Sequence, residues 1–265
     1  MLEILHRDEA LVAIHKPSGL LVHRSTIDRH ETRFAVQLLR DQIGRHVYPV
    51  HRLDKGTSGV LLFALERALV APLGQAFEQQ TVTKRYLAIV RGHPPQHGLI
   101  DHALSLHPDR IDPGERLTPA LQPAQTRFRT LATAELPVAV DRYPSSRYAL
   151  VALAPLTGRR HQLRRHMKHI AHPIIGDATH GKGRHNRFFA ERFGSTRLLL
   201  ACVGLQLAHP LTGQPLRLLA PPSADFMQVV NALGWTDSAR ASLSIVMDSM
   251  HNDESDEHTT PRSTP

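Results

Sequence analysis

The sequence predicts an α+β protein with a mostly antiparallel central sheet and flanking helices and loops. Three observations lead to this prediction: short strand-like runs recur through the chain, helical spacings are dispersed between them, and no internal repeat is evident. The strand-like runs are residues 2–6, 11–15, 47–50, 60–64, 84–91, 124–132, 148–154, 198–207 and 216–219.

Four segments have the apolar spacing of helices. They are residues 31–43, followed by Gly44 as a stop, residues 67–80, interrupted by Pro72, and residues 157–171 and 224–233. Residues 93–122 are rich in Pro, Gly, His and Asp and predict a long, irregular surface insertion. We expect one folded domain over residues 1–235 and a disordered tail over 236–265, where Ser, Thr and acidic residues dominate.

Composition narrows the class of protein. Hydrophobic residues make up 41% of the chain, as in ordinary globular proteins, and no run is long and apolar enough to span a bilayer. The single cysteine, Cys202, excludes an intrachain disulfide framework and a multi-cysteine zinc site. The first residues lack a secretory layout, so the sequence predicts a cytoplasmic protein.

The charge balance predicts an anionic partner. The chain has 32 Lys and Arg against 24 Asp and Glu, a formal net charge of +8. Six acids and two bases follow residue 235, so the remainder is more basic than the whole. Nucleic acid is the commonest partner of such a body, and solvated surface cations without a partner are the alternative.

The segment His51–Gly59, HRLDKGTSG, places several charged side chains close together between two strand-like runs. Asp54 stands between the cations Arg52 and Lys55, which favour its ionised form. A carboxylate of this kind is available as a nucleophile or base beside a polyanion. The alternative is that Asp54 only caps a turn with its side chain.

A second basic segment, TGRRHQLRRH, covers residues 157–166. Its arginines and the lysine that follows are candidate phosphate ligands, namely Arg159, Arg160, Arg165 and Lys168. A solvated basic helix face is the alternative. The nearby histidines 161, 166, 169 and 172 suggest a metal site, but the interleaved cations would oppose a bound dication, and we predict no metal.

These segments together resemble the RluA-type pseudouridine synthases, over residues 2 to about 235. HRLDKGTSG resembles the family's HRLD..TSG signature, Lys84-Arg85-Tyr86 its K.Y motif, and TGRRHQLR its TGR.HQ(I/L)R motif. KPSGLLVH resembles the first motif with His15 in place of Asn, and RLLLAC resembles the late RL.LHA segment with Ala201 in place of His and Cys202 in place of Ala.

The resemblance implies the pseudouridine synthase catalytic fold and a role for each matching residue. Asp54 would be the catalytic carboxylate, Arg164 the arginine that pairs with it bidentately, and Tyr86 the ring that stacks on the target base. Arg52 is the candidate that fills the space left by a flipped-out uridine. On β preference alone, Tyr86 would instead be a core or cross-strand residue.

The implied reaction is the isomerisation of uridine to pseudouridine in RNA. Several segments resemble the branch that acts at position 65 of tRNA. A synthase acting on ribosomal RNA or several RNAs, and a basic RNA-binding protein without catalysis, remain alternatives. The isomerisation needs neither redox change nor phosphate energy, so we predict no cofactor, and no obligate protein partner is evident.

Overall fold

The computed structural model of the chain describes residues 1–24, 30–105 and 120–248. Within them, a ten-stranded sheet forms the centre of the molecule, and β7 and β8 form a separate two-stranded sheet. The strands are β1 (Glu3–Arg7), β2 (Leu11–Lys16), β3 (Tyr48–Pro49), β4 (Ser58–Ala64), β5 (Thr83–Arg91), β6 (His97–Asp101), β7 (Leu104–Ser105), β8 (Leu121–Gln122), β9 (Gln125–Leu136), β10 (Ser146–Pro155), β11 (Leu200–Ala208) and β12 (Pro215–Leu219).

Six α-helices pack around this sheet in the described part of the chain. They are α1 (Ala35–Ile43), α2 (Val70–Glu78), α3 (Gln162–His169), α4 (Gly183–Phe193), α5 (Ala224–Ala232) and α6 (Thr236–Asp248). The main path of the sheet runs β1-β2-β4-β11-β5-β10-β9-β6, with β12 on β11 and β3 on β4. Strands β4 and β11 are parallel and the other paired strands of this sheet are antiparallel, which confirms the predicted α+β class.

Strand β4 is the most deeply buried strand of the sheet. All seven of its residues are buried, because β2 and β11 flank it and its side chains share a hydrophobic cluster with Leu39 of α1 and Leu73 of α2. Leu61, Leu62 and Phe63 are fully inaccessible, and each such side chain stabilises the fold by about 1.5–3 kcal/mol. The loop that carries Asp54 leads directly into this strand, so a rigid element holds the end of the loop.

Gly59 allows β4 and β11 to approach each other. Its φ is +110°, and a Cβ atom at this position would lie 1.9 Å from the carbonyl oxygen of Cys202. Only glycine fits both the backbone angle and the contact. The second glycine of HRLDKGTSG is therefore required by the parallel pairing of these strands.

The helices predicted over residues 31–43 and 67–80 both form, but over the shorter spans Ala35–Ile43 and Val70–Glu78. Gly44 ends α1 in the left-handed conformation, with φ 67°, as the sequence indicated. Pro72 lies in the first turn of α2, after a 3-10 turn over Arg67–Leu69, where its missing amide is not needed. The helix expected over residues 157–171 is shorter, because α3 covers only Gln162–His169.

The structure differs from the prediction at the insertion. In place of an irregular segment over residues 93–122, β6 pairs with β9 as an edge strand of the main sheet, and β7 pairs with β8. Residues 106–119 lie outside the described residues. Helix α4 was not predicted; it buries Phe189 and His185 despite its many charged residues.

The prediction of a disordered tail over residues 236–265 is wrong for residues 236–248. Residues Thr236–Asp248 form α6, which packs Ala239 into the core beside Trp235, whose Nε1 donates to the Thr133 carbonyl at 3.3 Å. Small buried residues on one face, including Ser242, allow this close packing. Residues 249–265 lie outside the described residues.

None of the helices in the described part of the chain combines the length and apolar character needed to cross a bilayer.

Candidate active site

Asp54 lies on the loop that joins β3 to β4. The Thr57 amide donates to the Asp54 carbonyl at 3.0 Å and closes a turn. His51 anchors the start of the loop, because its Nε2 accepts from the Leu62 amide at 3.0 Å and its ring stacks on Phe77 at 4.8 Å between centroids. Burial lowers the pKa of His51 to about 3, so the ring is a neutral acceptor at neutral pH.

The KPSG turn, residues 16–19, contacts this loop and holds it in place. Lys16 is fully buried, and its Nζ donates at 2.9, 2.7 and 3.1 Å to the carbonyls of Pro17, Leu20 and Lys55. The Gly19 amide also donates to the Lys55 carbonyl, at 2.8 Å. The turn thus holds the residue that follows Asp54.

Arg164 lies between two carboxylates. Its Nη1 donates to Asp54 Oδ2 at 3.1 Å, while its Nε and Nη2 donate to Asp177 Oδ2 and Oδ1 at 2.7 and 2.8 Å. The Arg164–Asp54 contact was predicted, but the bidentate geometry expected for it belongs to Asp177. The Asp177 side chain is completely buried, whereas that of Asp54 is 22% exposed. Arg164 is therefore fixed from the interior and presents one N–H to a carboxylate that faces outward.

Asp177 is ionised by its surroundings. Burial alone would raise the pKa of Asp177, but the Arg164 hydrogen bonds and the backbone amides of His180 and Thr179 lower it below the ordinary value. The two carboxylates in turn raise the pKa of Arg164 against the effect of its burial. The result is an Asp177–Arg164–Asp54 row, with a buried ion pair at its inner end and the partly exposed Asp54 at its outer end.

The TGRR loop before α3 is shaped by the Gln162 side chain. Gln162 Oε1 accepts from the Thr157 hydroxyl at 2.7 Å and from the Arg159 amide at 2.9 Å. Gln162 Nε2 donates to the Gln125 carbonyl at 2.9 Å and to Thr126 Oγ1 at 3.0 Å. This buried amide uses both of its ends to tie the loop to β9, which explains why the helix begins only at Gln162.

His161 precedes α3 in the left-handed conformation, with φ 53°. A non-glycine residue in this conformation costs about 1–2 kcal/mol. The conformation brings His161 Nε2 to 4.0 Å from Asp54 Oδ1 and His161 Nδ1 to 3.2 Å from His180 Nε2. Burial, followed by the charges of Arg164 and Arg160 and by His180, lowers the pKa of His161 to about 4, and Asp54 opposes this shift.

Tyr86 lies on β5, opposite Cys202 of β11 and Leu153 of β10. Its side chain is half-buried and lines the same cleft as Asp54 and Arg164. Burial, and then Cys202 and Asp54, raise the pKa of Tyr86 well above its ordinary value, so the phenol stays neutral.

The cleft has a volume of about 590 Å³ and a strongly basic lining. It contains Asp54, Tyr86 and Arg164 together with the cations Arg52, Lys84, Arg159 and Arg160. An aromatic ring, a carboxyl group and several cations are therefore combined in one cavity large enough for a nucleotide.

The comparison with protein families decides the assignment. Residues 10–169 match the family model described as RNA pseudouridylate synthase, PseudoU_synth_2. The chain belongs to the RNA pseudouridylate synthase family.

Curated relatives of this pseudouridylate synthase family member have similar sequences. The chain is 49% identical over 240 residues to tRNA pseudouridine synthase C of Yersinia pestis, which covers 90% of this chain and 93% of that protein. It is 46% identical over 239 residues to tRNA pseudouridine synthase C of Vibrio cholerae, covering 90% and 98%. It is 53% identical over 236 residues to tRNA pseudouridine synthase C of Pectobacterium carotovorum. That match covers 89% of this chain but only 63% of the relative's length.

Solved structures have the same pseudouridylate synthase fold. Human RNA pseudouridylate synthase domain containing 4 superposes with a TM-score of 0.65 at 26% identity, over 88% of this chain and 93% of that one. Human RNA pseudouridylate synthase domain containing 1 superposes with a TM-score of 0.63 at 25% identity, over 88% and 95%. The predicted fold is thus confirmed.

The cations predicted to bind RNA lie in different places on this family member. Arg159 and Arg160 line the cleft, where Arg159 Nε also donates to the Pro123 carbonyl at 3.1 Å. Arg165 points away, with Nη1 and Nη2 on Ser105 at 3.0 and 2.8 Å. Lys168 is exposed, and Lys55 pairs with Glu31 at 2.8 Å.

The other histidines on and after α3 have structural contacts, and the His169 ring stacks on His102 with centroids 3.7 Å apart. His166 is fully buried, with Nε2 donating to the His102 carbonyl at 3.0 Å and Nδ1 2.9 Å from Thr126 Oγ1. His172 Nδ1 donates to the Arg91 carbonyl at 2.9 Å. In the described part of the chain, no group of three or more His, Cys, Asp or Glu side chains is arranged to hold a metal ion.

Sequence reasoning missed Asp177, His180, Gln162 and Lys84. Asp177 follows the apolar pair Ile174–Ile175 and a glycine, and an acidic residue directly after a buried segment was a signal that we did not use. Lys84 belongs to the K.Y motif, and its Nζ donates to the Thr157 carbonyl at 3.2 Å, which ties β5 to the TGRR loop.

Proposed function

We propose that this chain is a pseudouridine synthase that isomerises a flipped-out uridine of tRNA, at position 65, with Asp54 as the catalytic carboxylate. The observation that carries the proposal is the combination of Asp54, Arg164 and Tyr86 in one basic cleft. The relatives named tRNA pseudouridine synthase C support tRNA as the class of substrate.

Binding requires the uridine to leave its stack. Flipping a paired base costs a few kcal/mol, and stacking on an aromatic ring returns about 1–3 kcal/mol. In our proposal Tyr86 supplies that ring, and the exposed Arg52 occupies the space that the base vacates. Arg159 and Arg160 contact phosphates at the edge of the cleft, so affinity falls as salt rises.

The chemistry exchanges one glycosidic bond for another. The bond between uracil N1 and ribose C1′ breaks, the base rotates, and C5 forms the new bond to C1′ while losing its proton. Asp54 assists by attacking the sugar or by removing a proton from it. Arg164 donates to one oxygen of Asp54 and so directs the carboxylate, leaving its other oxygen toward the cleft.

The test is tritium release from tRNA labelled at uridine C5. We expect the unchanged protein to release tritium, and Asp54→Asn to lose release while tRNA affinity changes by no more than a few-fold. Asp41→Asn removes an exposed carboxylate, 65% accessible and paired with Arg40, and serves as the matched control. If Asp54→Asn keeps its rate, Asp54 is not the catalytic carboxylate; if the unchanged protein binds RNA without release, it is a binding protein.

The substrate is tested by mapping pseudouridines in tRNA and ribosomal RNA from a strain that lacks the gene. We expect a missing pseudouridine in tRNA that the intact gene restores and the Asp54→Asn gene does not. Intact tRNA with a missing site in ribosomal RNA would reassign the substrate.

A further inference from the structure

The proposed reaction leaves one proton without an acceptor. When C5 joins C1′, the C5–H bond must break so that its electrons restore the C5–C6 double bond of the uracil. Because C5 is by then bonded to the sugar carbon beside Asp54, a base for this proton must stand next to Asp54.

His161 occupies that position. Its Nε2 lies 4.0 Å from Asp54 Oδ1, and a quarter of its side chain is exposed to the cleft. Its Nδ1 lies 3.2 Å from His180 Nε2, with the two rings at 75°. The ring reaches this place through the left-handed backbone conformation of His161, and strain of this kind is concentrated at functional positions.

The other side chains of the cleft are poorly suited to the role. Arg52, Arg159, Arg160 and Arg164 are guanidinium donors without a basic lone pair. The His51 ring accepts the Leu62 amide, and Lys84 donates to the Thr157 carbonyl. Tyr86 is a neutral phenol, and Glu78 is exposed on the rim.

We propose that His161 accepts the proton that leaves uracil C5 and passes a proton on to His180. The inference rests on the proposed function. The C5–H bond breaks, an Nε2–H bond forms on His161, the His161 Nδ1–H is transferred to His180 Nε2, and His180 releases its proton to solvent from the half-exposed end of the pair. No oxidant, reductant or further reactant is required.

The charges around His161 fit this role. Asp54 faces its Nε2, and Arg164, Arg160 and His180 are its other charged or titratable neighbours. Its pKa of about 4 keeps the imidazole unprotonated, and therefore able to accept a proton, at neutral pH. Once the imidazolium forms, the Asp54 carboxylate stabilises it.

The test uses His161→Asn and His161→Gly, since both residues tolerate the left-handed backbone. Turnover is measured with tRNA carrying hydrogen or deuterium at uridine C5. We expect each variant to slow the reaction by about 100-fold or more, with a primary isotope effect larger than that of the unchanged protein. We also expect added imidazole to restore the rate of His161→Gly, because the missing side chain leaves space beside Asp54. His180→Asn should slow the reaction less and in the same direction.

Two results would overturn the inference. One is a His161→Asn protein that turns over at the unchanged rate. The other is slower variants with no added isotope effect and no rescue by imidazole, which would make His161 a positioning residue only. The unchanged protein separates this failure from that of the proposed function, since its tritium release does not depend on which group accepts the proton.

Discussion

Arg164 and Asp177, 13 residues apart in the chain, form a buried ion pair with two hydrogen bonds of 2.7 and 2.8 Å. The Nη1 of the same guanidinium donates to Asp54 Oδ2 at 3.1 Å. The position of the proposed catalytic carboxylate therefore depends on a second carboxylate that does not line the cleft.

Asp177→Asn is expected to reduce both stability and activity. It removes the charge that compensates a buried guanidinium, and breaking such a pair costs about 3–5 kcal/mol. Arg164 then loses one of its two hydrogen bonds to residue 177 together with the charge, and its orientation is less fixed. Urea unfolding measures the stability, and tritium release from C5-labelled tRNA measures the activity.

Asp141→Asn is the matched control. Asp141 pairs with Arg184 at 3.1 Å, and the Arg184 side chain is 74% exposed. Removing an exposed pair of this kind changes the free energy of unfolding by about 0–1 kcal/mol. Equal losses in Asp177→Asn and Asp141→Asn would show that the buried pair has no special role.

Tyr86→Phe and Tyr86→Ala separate stacking from the phenol hydroxyl. If the ring stacks on the flipped uracil, Tyr86→Phe keeps most of the rate, whereas Tyr86→Ala loses about 1–3 kcal/mol, or roughly 5- to 150-fold. Tritium release under kcat/KM conditions measures both. A Phe variant as slow as the Ala variant would instead assign the function to the hydroxyl, which neighbours Cys202.

The sequence motifs determine a large part of the site. Asp54, Tyr86 and Arg164 belong to contiguous motifs, and the structure brings all three to one cleft. Asp177 was not predicted, because its pairing with Arg164 depends on where the chain turns back after α3. No local sequence pattern encodes that turn. The left-handed conformation of His161 was not predicted for a similar reason. The Gln162 side chain fixes this loop by donating to Thr126 of β9, which lies 36 residues earlier in the chain.

Local composition was also misleading at α6 and β6. Thr, Asp and Ser in residues 236–242 have weak intrinsic helix preference, but tertiary contacts of Ala239 and Trp235 outweigh it. His97–Asp101 is short and has polar residues at both ends, and it becomes a strand by pairing with the edge of β9. Both elements are stabilised by partners far away in the chain.

Lys16 predicts a pH dependence of stability. Burial lowers its pKa in the fold to about 7, with Arg197 adding to the shift and Asp54 opposing it. The unfolded lysine keeps the ordinary value of 10.5, so between these values the unfolded state binds more protons and the free energy of unfolding rises with pH. Urea unfolding at about pH 7 and about pH 9 should reveal this rise, and Lys16→Met should reduce it. Lys182→Met, at an exposed lysine, should leave it unchanged.

Gly59→Ala tests the packing that supports the Asp54 loop. The new Cβ would lie 1.9 Å from the Cys202 carbonyl oxygen at φ +110°, and both partners are backbone in the centre of the sheet. Since neither can move without breaking the β4–β11 pairing, we expect a loss of several kcal/mol or failure to fold. Gly74→Ala is the control: Gly74 lies within α2 with no atom within 4 Å of the added Cβ, so the substitution should stabilise the helix by about 0.5–1 kcal/mol. Thermal unfolding distinguishes the opposite signs, and a stable Gly59→Ala protein would mean that the two strands separate easily and that the loop does not rest on a rigid base.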